Sequence, residues 1–451
     1  MDLISELPEA LLLNILSLLP AQDVASTMFL SKRWRFLWTS VPRLEYDDSY
    51  QGTEYRKFSR FVDRFLFLHE SPVIETLHFK LGKTCGGEDI RVWIRAADKC
   101  CVRELIFEID ASSNDSPPIV LPSSLYTRCI MLVTLKLNKV ILEDTSSSIA
   151  FPSLKTLSLV SVEYPGDEFV SSLLSSCHVL EDLHVEQCSS DNVTIFNVRV
   201  PSLKSLVLHA LADDDDDDDE YGFVIDTPSL EWLDIVDYRE GFCIIENGMP
   251  KIMTASFDVN YSHSGEIMRT ITSVKRLDLC LSTSSKVPVL YLHAIVIRIP
   301  IATSLMVKSL VYMQNAYPSG SVFCCLAHLK ICTCQTEWLE LLMCMLRYSP
   351  KLQSLRLKQY HEIEACNPRP CWTEPNSVPD CLVSSLEALE WVGYEGTEEE
   401  KEVVAFILRS AKCLERVTIY SSSKDPCKKL ELVKELSFLP RCSSSCNFLF
   451  D

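Results

Sequence analysis

Two sets of residues in this 451-residue chain are of the types from which chemistry is made. Cys85 and Arg91 stand at a Cys-x5-Arg spacing. That spacing suits a low-pKa thiolate held in a loop that cradles a phosphate, where the sulfur attacks phosphorus. Yet 20 cysteines and 21 arginines in 451 residues give about one such match by chance, and Thr84 stands where such a loop carries a histidine. No catalytic residue is therefore expected. Cys324, Cys325, His328, Cys332 and Cys334 form the second set, dense enough to suggest zinc, which takes four thiolate or imidazole ligands. Their spacing does not form paired knuckles. Leu326, Leu329 and Ile331 read as a strand through the same segment, which makes Cys332 and His328 outward strand residues and the other thiols core or its neighbours. Neither a metal nor a cofactor is expected.

The elements that carry these residues repeat. An apolar triad at offsets 0, +3 and +5 recurs in Leu154/Leu157/Leu159, Leu180/Leu183/Val185, Leu203/Leu206/Leu208 and Leu230/Leu233/Ile235. The alternation of its last two positions reads as a strand. Further copies are Ile74/Leu77/Phe79, Val102/Leu105/Phe107, Leu132/Leu135/Leu137, Ile252/Ala255/Phe257, Val274/Leu277/Leu279, Leu326/Leu329/Ile331, Leu352/Leu355/Leu357, Leu386/Leu389/Trp391 and Leu414/Val417/Ile419. Most lie 22 to 34 residues apart, the spacing of leucine-rich repeats; one gap of 52 is read as hiding a degenerate copy. A single unit cannot cover its own apolar strand face, whereas stacked units bury a continuous core under a parallel sheet. Alternate strand residues then face outward. Asp182, His184, Glu186, His209, Trp232, Asp234, Arg276, Asp278 and Arg356 are the candidates for a recognition surface. Ordinary solvated surface is the competing reading of each.

Composition narrows the function classes. Hydrophobic residues make up 47% and charged residues 23% of the chain, as in soluble globular proteins. A net charge of −19 argues against nucleic acid or an anionic membrane as the main partner, because phosphate binding draws on clustered Lys and Arg. Eight of the acidic charges sit at 213–220, read as a solvated insertion between repeats or as a contact for a basic partner. Residues 11–19 follow Glu6, Pro8 and Glu9 rather than a basic stretch, so they do not read as a secretory leader. The apolar stretch at 294–313 is interrupted by Arg298, Pro300 and Lys308, short of a membrane span. Twenty cysteines without a leader suggest free thiols in a reducing, intracellular compartment, cytoplasm or nucleus. The sequons at Asn114, Asn192 and Asn260 then carry no information.

Residues 1–48 read as three short helices. Pro8 and Glu9 open the first, and Leu11, Leu12, Ile15, Leu16 and Leu19 recur along it at helical spacing. A second runs from Gln22 to about Met28, and a third carries Leu30, Trp34, Leu37 and Trp38 on one side. So small a unit spends many large apolar residues on little buried surface, which suits either a docking partner or a cap on the repeat array. The order Ile4-Ser5-Glu6-Leu7-Pro8-Glu9-Ala10-Leu11-Leu12, Ile15-Leu16-Ser17, Asp23-Val24-Ala25 and Leu30-Ser31-Lys32-Arg33-Trp34-Arg35-Phe36-Leu37-Trp38 resembles an F-box of the plant type. The resemblance implies docking to a Skp-type adaptor tethered to a cullin, through Leu7, Pro8, Ile15, Leu16, Leu30, Ser31, Trp34 and Leu37. Ala10 and Asn14 depart from the family's charged residues on the polar side only.

The pieces Phe151-Pro152-Ser153-Leu154-Lys155, Val200-Pro201-Ser202-Leu203-Lys204 and Thr227-Pro228-Ser229-Leu230-Glu231 resemble the irregular repeats found behind plant F-boxes. Near the C-terminus, Thr397 and Glu400 form a capping box ahead of a helix over 398–411. A strand at 414–420, a helix at 427–437 and a strand at 446–450 follow. From Pro379 through Leu386-Glu387-Ala388-Leu389-Glu390-Trp391 to Phe448-Leu449-Phe450-Asp451 the segment resembles an FBD domain. The expected fold is α/β: an all-α F-box at 1–48, a curved leucine-rich-repeat solenoid with a parallel sheet at 49–371, and an αβ FBD-like unit at 372–451 that closes it. The resemblance implies a non-catalytic subunit of a Skp-cullin-F-box ubiquitin ligase that holds the adaptor and an unknown protein substrate. A repeat scaffold that docks the adaptor but delivers no substrate is the alternative.

Overall fold

The structure is a computed structural model that describes residues 4, 6–49, 54–82, 86–109, 119–145, 148–188, 192–210, 221–239, 241–261, 264–282, 322–334, 338–361 and 372–451. The acidic run at 213–220, Cys85 and the apolar stretch at 294–313 lie outside the described residues. The chain divides into two compact units, Met1–Thr227 and Pro228–Asp451.

In the first unit, Pro8 sets the start of the helix Glu9–Leu16, and Pro20 precedes the helix Ala21–Ser26. The third expected helix is not α-helical. Residues 31–36 form turns that lead into a 3-10 helix, Leu37–Ser40, with Trp34 N–H donating to the Ser31 carbonyl and Leu37 N–H to the Trp34 carbonyl. At three residues per turn Trp34 and Leu37 stack on one line, and both are buried. The strands that follow are β1 (Arg43–Asp47), β2 (Thr76–Leu81), β3 (Glu104–Ile109), β4 (Ile119–Leu121), β5 (Thr134–Asn138), β6 (Val140–Leu142), β7 (Thr156–Val160), β8 (Asp182–Gln187), β9 (Ile195–Arg199), β10 (Ser205–Ala210) and β11 (Gly222–Asp226). β1, β2, β3, β5, β7, β8 and β10 pair in that order, all parallel. β4 pairs with β6, and β9 with β11. Parallel neighbours need a crossover, which helices such as Tyr55–Phe67, Gly87–Lys99 and Asp167–Ser175 provide.

Register explains the core. Tyr46, Phe79, Phe107, Leu137, Leu159, Val185 and Leu208 occupy one continuous rung. Its aromatic end is stacked, with Tyr46–Phe79 centroids 5.5 Å apart and Phe79–Phe107 5.0 Å apart. β1 had no place in the expected array. It carries the same pattern in Val41, Leu44 and Tyr46, all buried, so the sheet begins inside the segment assigned to the F-box.

The second unit holds β12 (Trp232–Asp237), β13 (Phe242–Ile245), β14 (Thr254–Asn260), β15 (Arg276–Ser282), β16 (His328–Cys332), β17 (Ser354–Lys358), β18 (Ala388–Tyr394), β19 (Arg416–Ser421) and β20 (Asn447–Phe450). β12 and β14 to β20 form a parallel ladder in chain order. β15 pairs directly with β16, Leu277 opposite Leu329. The gap of 52 residues therefore adds no strand between them, contrary to the degenerate copy expected there. Across both units no triad side chain is more than 2% exposed. The fold is the expected α/β repeat architecture, with a helical N-terminal segment and a C-terminal αβ segment.

The C-terminal segment is fixed at the entry to the helix Glu398–Ser410. Thr397 Oγ1 accepts from the Glu400 N–H at 3.3 Å, and Glu400 Oε2 accepts from the N–H groups of Thr397, Gly396 and Glu395 at 3.1, 2.7 and 3.0 Å. Burial raises the Glu400 pKa and these backbone donors oppose the rise. Gly396 has φ +77°, and a Cβ there would run into Leu432. Gly396→Ala is expected to cost on the order of 2 kcal/mol or more, from left-handed backbone and the collision together. A lowered urea midpoint checks this; an unchanged midpoint would count against the turn geometry.

Candidate functional site

The N-terminal helix carries two apolar stripes rather than one. Leu12 and Leu16 turn inward and are fully buried, while Leu11 and Ile15, four residues apart, lie exposed on the neighbouring stripe, and Leu18, in the turn just past the helix, is exposed too. Exposure continues further along, with Phe29 at 84%, Leu30 at 66% and Phe36 at 67%. Ile4 is exposed as well, so seven large apolar side chains are solvent-facing between residues 4 and 36. An exposed set of this kind marks an interaction site when it is concentrated in one small element. The Arg33 guanidinium donates to the Leu7 carbonyl and ties the start of the segment to the 31–36 turns.

The eight residues singled out for adaptor docking divide accordingly. Pro8, Ile15 and Leu30 are exposed, and Leu7 and Ser31 are half-buried. Leu16, Trp34 and Leu37 lie inside the segment, Trp34 only 4% exposed. Leu11, Leu18, Phe29 and Phe36 were not singled out. The i, i+4 spacing of Leu11 and Ile15 in the first helix could have shown a second stripe.

The outward positions of the strands form charged ladders. In the first unit Asp182 is exposed and His184, Glu186 and His209 are half-buried on β8 and β10. Glu186 lies opposite His209, His184 Nε2 is 2.9 Å from Glu186 Oε1, and the two imidazole centroids are 6.1 Å apart. Their ligand atoms fall within 4.8 Å of one another. Nearby, Glu181 holds Lys204 at 2.8 Å and Lys155 at 3.0 Å, and those two ammonium groups lower its pKa.

In the second unit two rungs collect the remaining candidates. Trp232, Thr254, Arg276, His328 and Ser354 make one; Asp234, Ser256, Asp278, Lys330, Arg356 and Glu390 make the next. Trp232 and Arg276 are exposed, while Asp234, Asp278 and Arg356 are half-buried. Lys330 Nζ binds Asp278 at 3.1 Å and Arg356 binds Glu390 at 3.3 Å. Trp232 thus stands beside a rung that carries both signs of charge. Tyr360 Oη reaches Asp278 at 3.2 Å, and burial first, then Asp278, raises its pKa.

Of the cysteine-rich stretch, Cys324, Cys325 and His328 are exposed, whereas Cys332 and Cys334 are buried. Cys332 does stand on the outward side of β16, as expected. It is covered there by the chain that follows β17. Among the described residues no helix is long and apolar enough to cross a membrane.

Three protein families match parts of the chain. The F-box domain family matches residues 4–46, the leucine-rich repeats of "FBD-associated F-box protein At5g56370" match 90–257, and the FBD family matches 374–419. The chain is 58% identical, over the whole of both sequences, to the Arabidopsis thaliana "Probable FBD-associated F-box protein At1g32375". It is 43% identical to "F-box/FBD/LRR-repeat protein At5g56420" of the same plant, over all of this chain and 99% of that one, and 40% identical to "F-box/FBD/LRR-repeat protein At4g26340" over the whole of both.

Proposed function

Because this chain belongs to the plant F-box/FBD/leucine-rich-repeat family, we propose that it is a non-catalytic substrate-recognition subunit of a Skp-cullin-F-box ubiquitin ligase. Residues 1–48 dock the Skp-type adaptor, 49–371 grip a protein substrate, and 372–451 complete the repeat array. β1 serves both of the first two, being a strand of the sheet contributed by the docking segment. The observation that carries the reading is the exposed apolar set within a segment that the F-box family matches.

Pro8, Ile15 and Leu30, joined by Leu11, Leu18, Phe29 and Phe36, form the contact, with Leu7 and Ser31 at its margin. Leu16, Trp34 and Leu37 act from beneath, holding the short helices in place. The substrate face uses the outward strand positions, Asp182, His184 and His209 in the first unit and Trp232, Asp234, Arg276 and Asp278 in the second. Ubiquitin transfer is done by other subunits, and this chain contributes proximity, raising the concentration of substrate lysines near the charged conjugating enzyme.

Co-expression of the full chain with a Skp-type adaptor is expected to yield a stable complex that recruits a cullin. Failure of the wild-type chain to capture any Skp-type adaptor would overturn the docking role. In the plant, a chain lacking residues 1–40, which keeps Val41 and β1 in the sheet, is expected to bind its substrate and protect it from degradation. Unaltered turnover of every bound protein would favour the scaffold instead.

A further inference from the structure

Four outward residues of the second unit converge at the C-terminal end of its strands. Asp258 lies directly opposite Cys280 in the register of β14 and β15, and Leu279 opposite Ile331 places Cys332 beside Cys280 on the next strand. Outward positions at this height would normally be solvated. Here Cys280 and Cys332 are buried, because the chain leaving β17 folds back across β16, β15 and β14. Tyr360 reaches Asp278 on β15, and His361 Nε2 lies 2.9 Å from Asp258 Oδ2 on β14. Cys334, just past β16, completes the group.

The three sulfurs meet one another. Cys280 Sγ is 3.6 Å and Cys332 Sγ 3.0 Å from Cys334 Sγ, and the three form one buried cluster. A ring nitrogen of His361 falls within 4.8 Å of the Cys280 and Cys334 sulfurs. Zinc–sulfur bonds of about 2.3 Å hold the sulfurs of a tetrahedral site roughly 3.8 Å apart. The Cys280–Cys334 spacing is therefore already near that of a ligated pair; Cys332, 3.0 Å from Cys334 but outside the group whose ligand atoms all lie within 4.8 Å of one another, must swing in as the fourth ligand.

Other buried thiols in the molecule are placed differently. Cys177 and Cys381 each direct their sulfur at a main-chain carbonyl, of Leu173 at 3.3 Å and of Leu346 at 3.1 Å. That is the environment of a protonated thiol, and burial pushes them up to about 11 and about 12. Cys332 instead accepts from the Tyr360 N–H at 3.4 Å and has two further sulfurs beside it.

The histidine is backed by a carboxylate, as metal-ligating histidines commonly are. Its Nε2 faces the Asp258 carboxylate, which also accepts from the Tyr238 hydroxyl at 2.9 Å, and the Tyr238 ring packs edge-on to the imidazole at 5.8 Å. Such a carboxylate fixes the ring and raises its basicity as a ligand. Lys358, opposite Cys332 in the register of β16 and β17, lays its ammonium over the Tyr360 ring, 4.4 Å from its centroid.

We propose that Cys280, Cys332, Cys334 and His361 form a structural zinc site, with Asp258 orienting the histidine, that clips the segment after β17 over the ends of β14, β15 and β16. The thiols lose their protons as Zn2+ binds. This site is independent of adaptor docking, and its test does not read adaptor binding.

The full chain, purified reduced and without chelator, is expected to carry about one zinc per molecule by elemental mass spectrometry. Co2+ added to the zinc-stripped chain should give a thiolate charge-transfer band and the spectrum of a tetrahedral site. Cys334→Ser and His361→Ala should abolish stoichiometric zinc, Asp258→Asn should weaken it roughly 10- to 100-fold, and Cys413→Ser, at an exposed cysteine, should change nothing. His361 is part-exposed, so His361→Ala keeps the test valid if a thiol variant fails to fold. A folded wild-type chain that takes up neither zinc nor cobalt, or variants that bind as the wild type does, would overturn the site. So would a Cys332–Cys334 disulfide in protein kept reduced.

Discussion

Replacing Ile15 by Lys and Leu30 by Glu together is expected to abolish capture of a Skp-type adaptor while leaving the chain folded. Both side chains are exposed, and surface changes of this kind usually alter stability by less than about 0.5 kcal/mol. Ile15 lies in the last turn of its helix, where a cation complements the macrodipole. At an interface the same positions are apolar anchors worth about 2 to 4 kcal/mol each, or roughly 30- to 1000-fold in affinity. The two opposite charges prevent one sign on the adaptor from rescuing both. Calorimetric titration of adaptor into each variant measures the loss, and circular dichroism reports the fold. Wild-type affinity in the double variant would remove this surface from docking.

Trp34→Ala tests something else. Its side chain is buried in a segment whose helices are too short to stand alone, so truncation removes capture by loosening the segment. Reduced capture accompanied by protease sensitivity at residues 31–40 is the expected signature. The sequence pattern marks Trp34, Leu16 and Leu37 as important without telling inside from outside, because a helix with two adjacent apolar stripes looks like one with a single broad stripe.

The repeat array was legible because its signal is local. Offsets 0, +3 and +5 place one side chain before a strand and two on its inner face, and every expected triad is buried. The same rule holds for Val41, Leu44 and Tyr46, which lay hidden within a segment already assigned to another role. Spacing between triads proved a poorer guide. The 52-residue interval looks like two repeats, but β15 and β16 are neighbours, since a crossover of any sufficient length returns the chain to the next rung. The thiol cluster was only half visible for a related reason. Cys332 and Cys334 fall in the dense stretch from Cys324 to Cys334, but Cys280 and His361 lie far from them in the chain and are brought to one height only by strand register and the return of the chain after β17. The capping box of Thr397 and Glu400, complete within four residues, could be read directly and is present.

Trp391→Ala is expected to be among the most destabilising single changes in the C-terminal segment. Trp391 is fully buried on β18, between Leu357 of β17 and Ile419 of β19. It meets Trp338 edge-on at 5.7 Å and Tyr394 at 5.3 Å. One ring thus supports two neighbouring strands and the helix Trp338–Tyr348. Truncating a buried Trp costs about 3 to 5 kcal/mol, against a total of only about 5 to 15 kcal/mol for a typical domain. Since each repeat is stabilised by its neighbours, the loss should spread to β17 and β19 and shift the urea midpoint of the second unit. Trp391→Phe separates shape from polarity. The buried indole N–H has no hydrogen-bond partner among the described residues, an omission that costs about 1 to 3 kcal/mol. Phenylalanine removes that penalty and keeps an aromatic ring against Trp338 and Tyr394, so Trp391→Phe should lie far closer to wild type than Trp391→Ala. Equal losses in the two variants would mean that the indole N–H is satisfied in solution; a loss under about 1 kcal/mol in Trp391→Ala would mean that the segment does not rest on this ring.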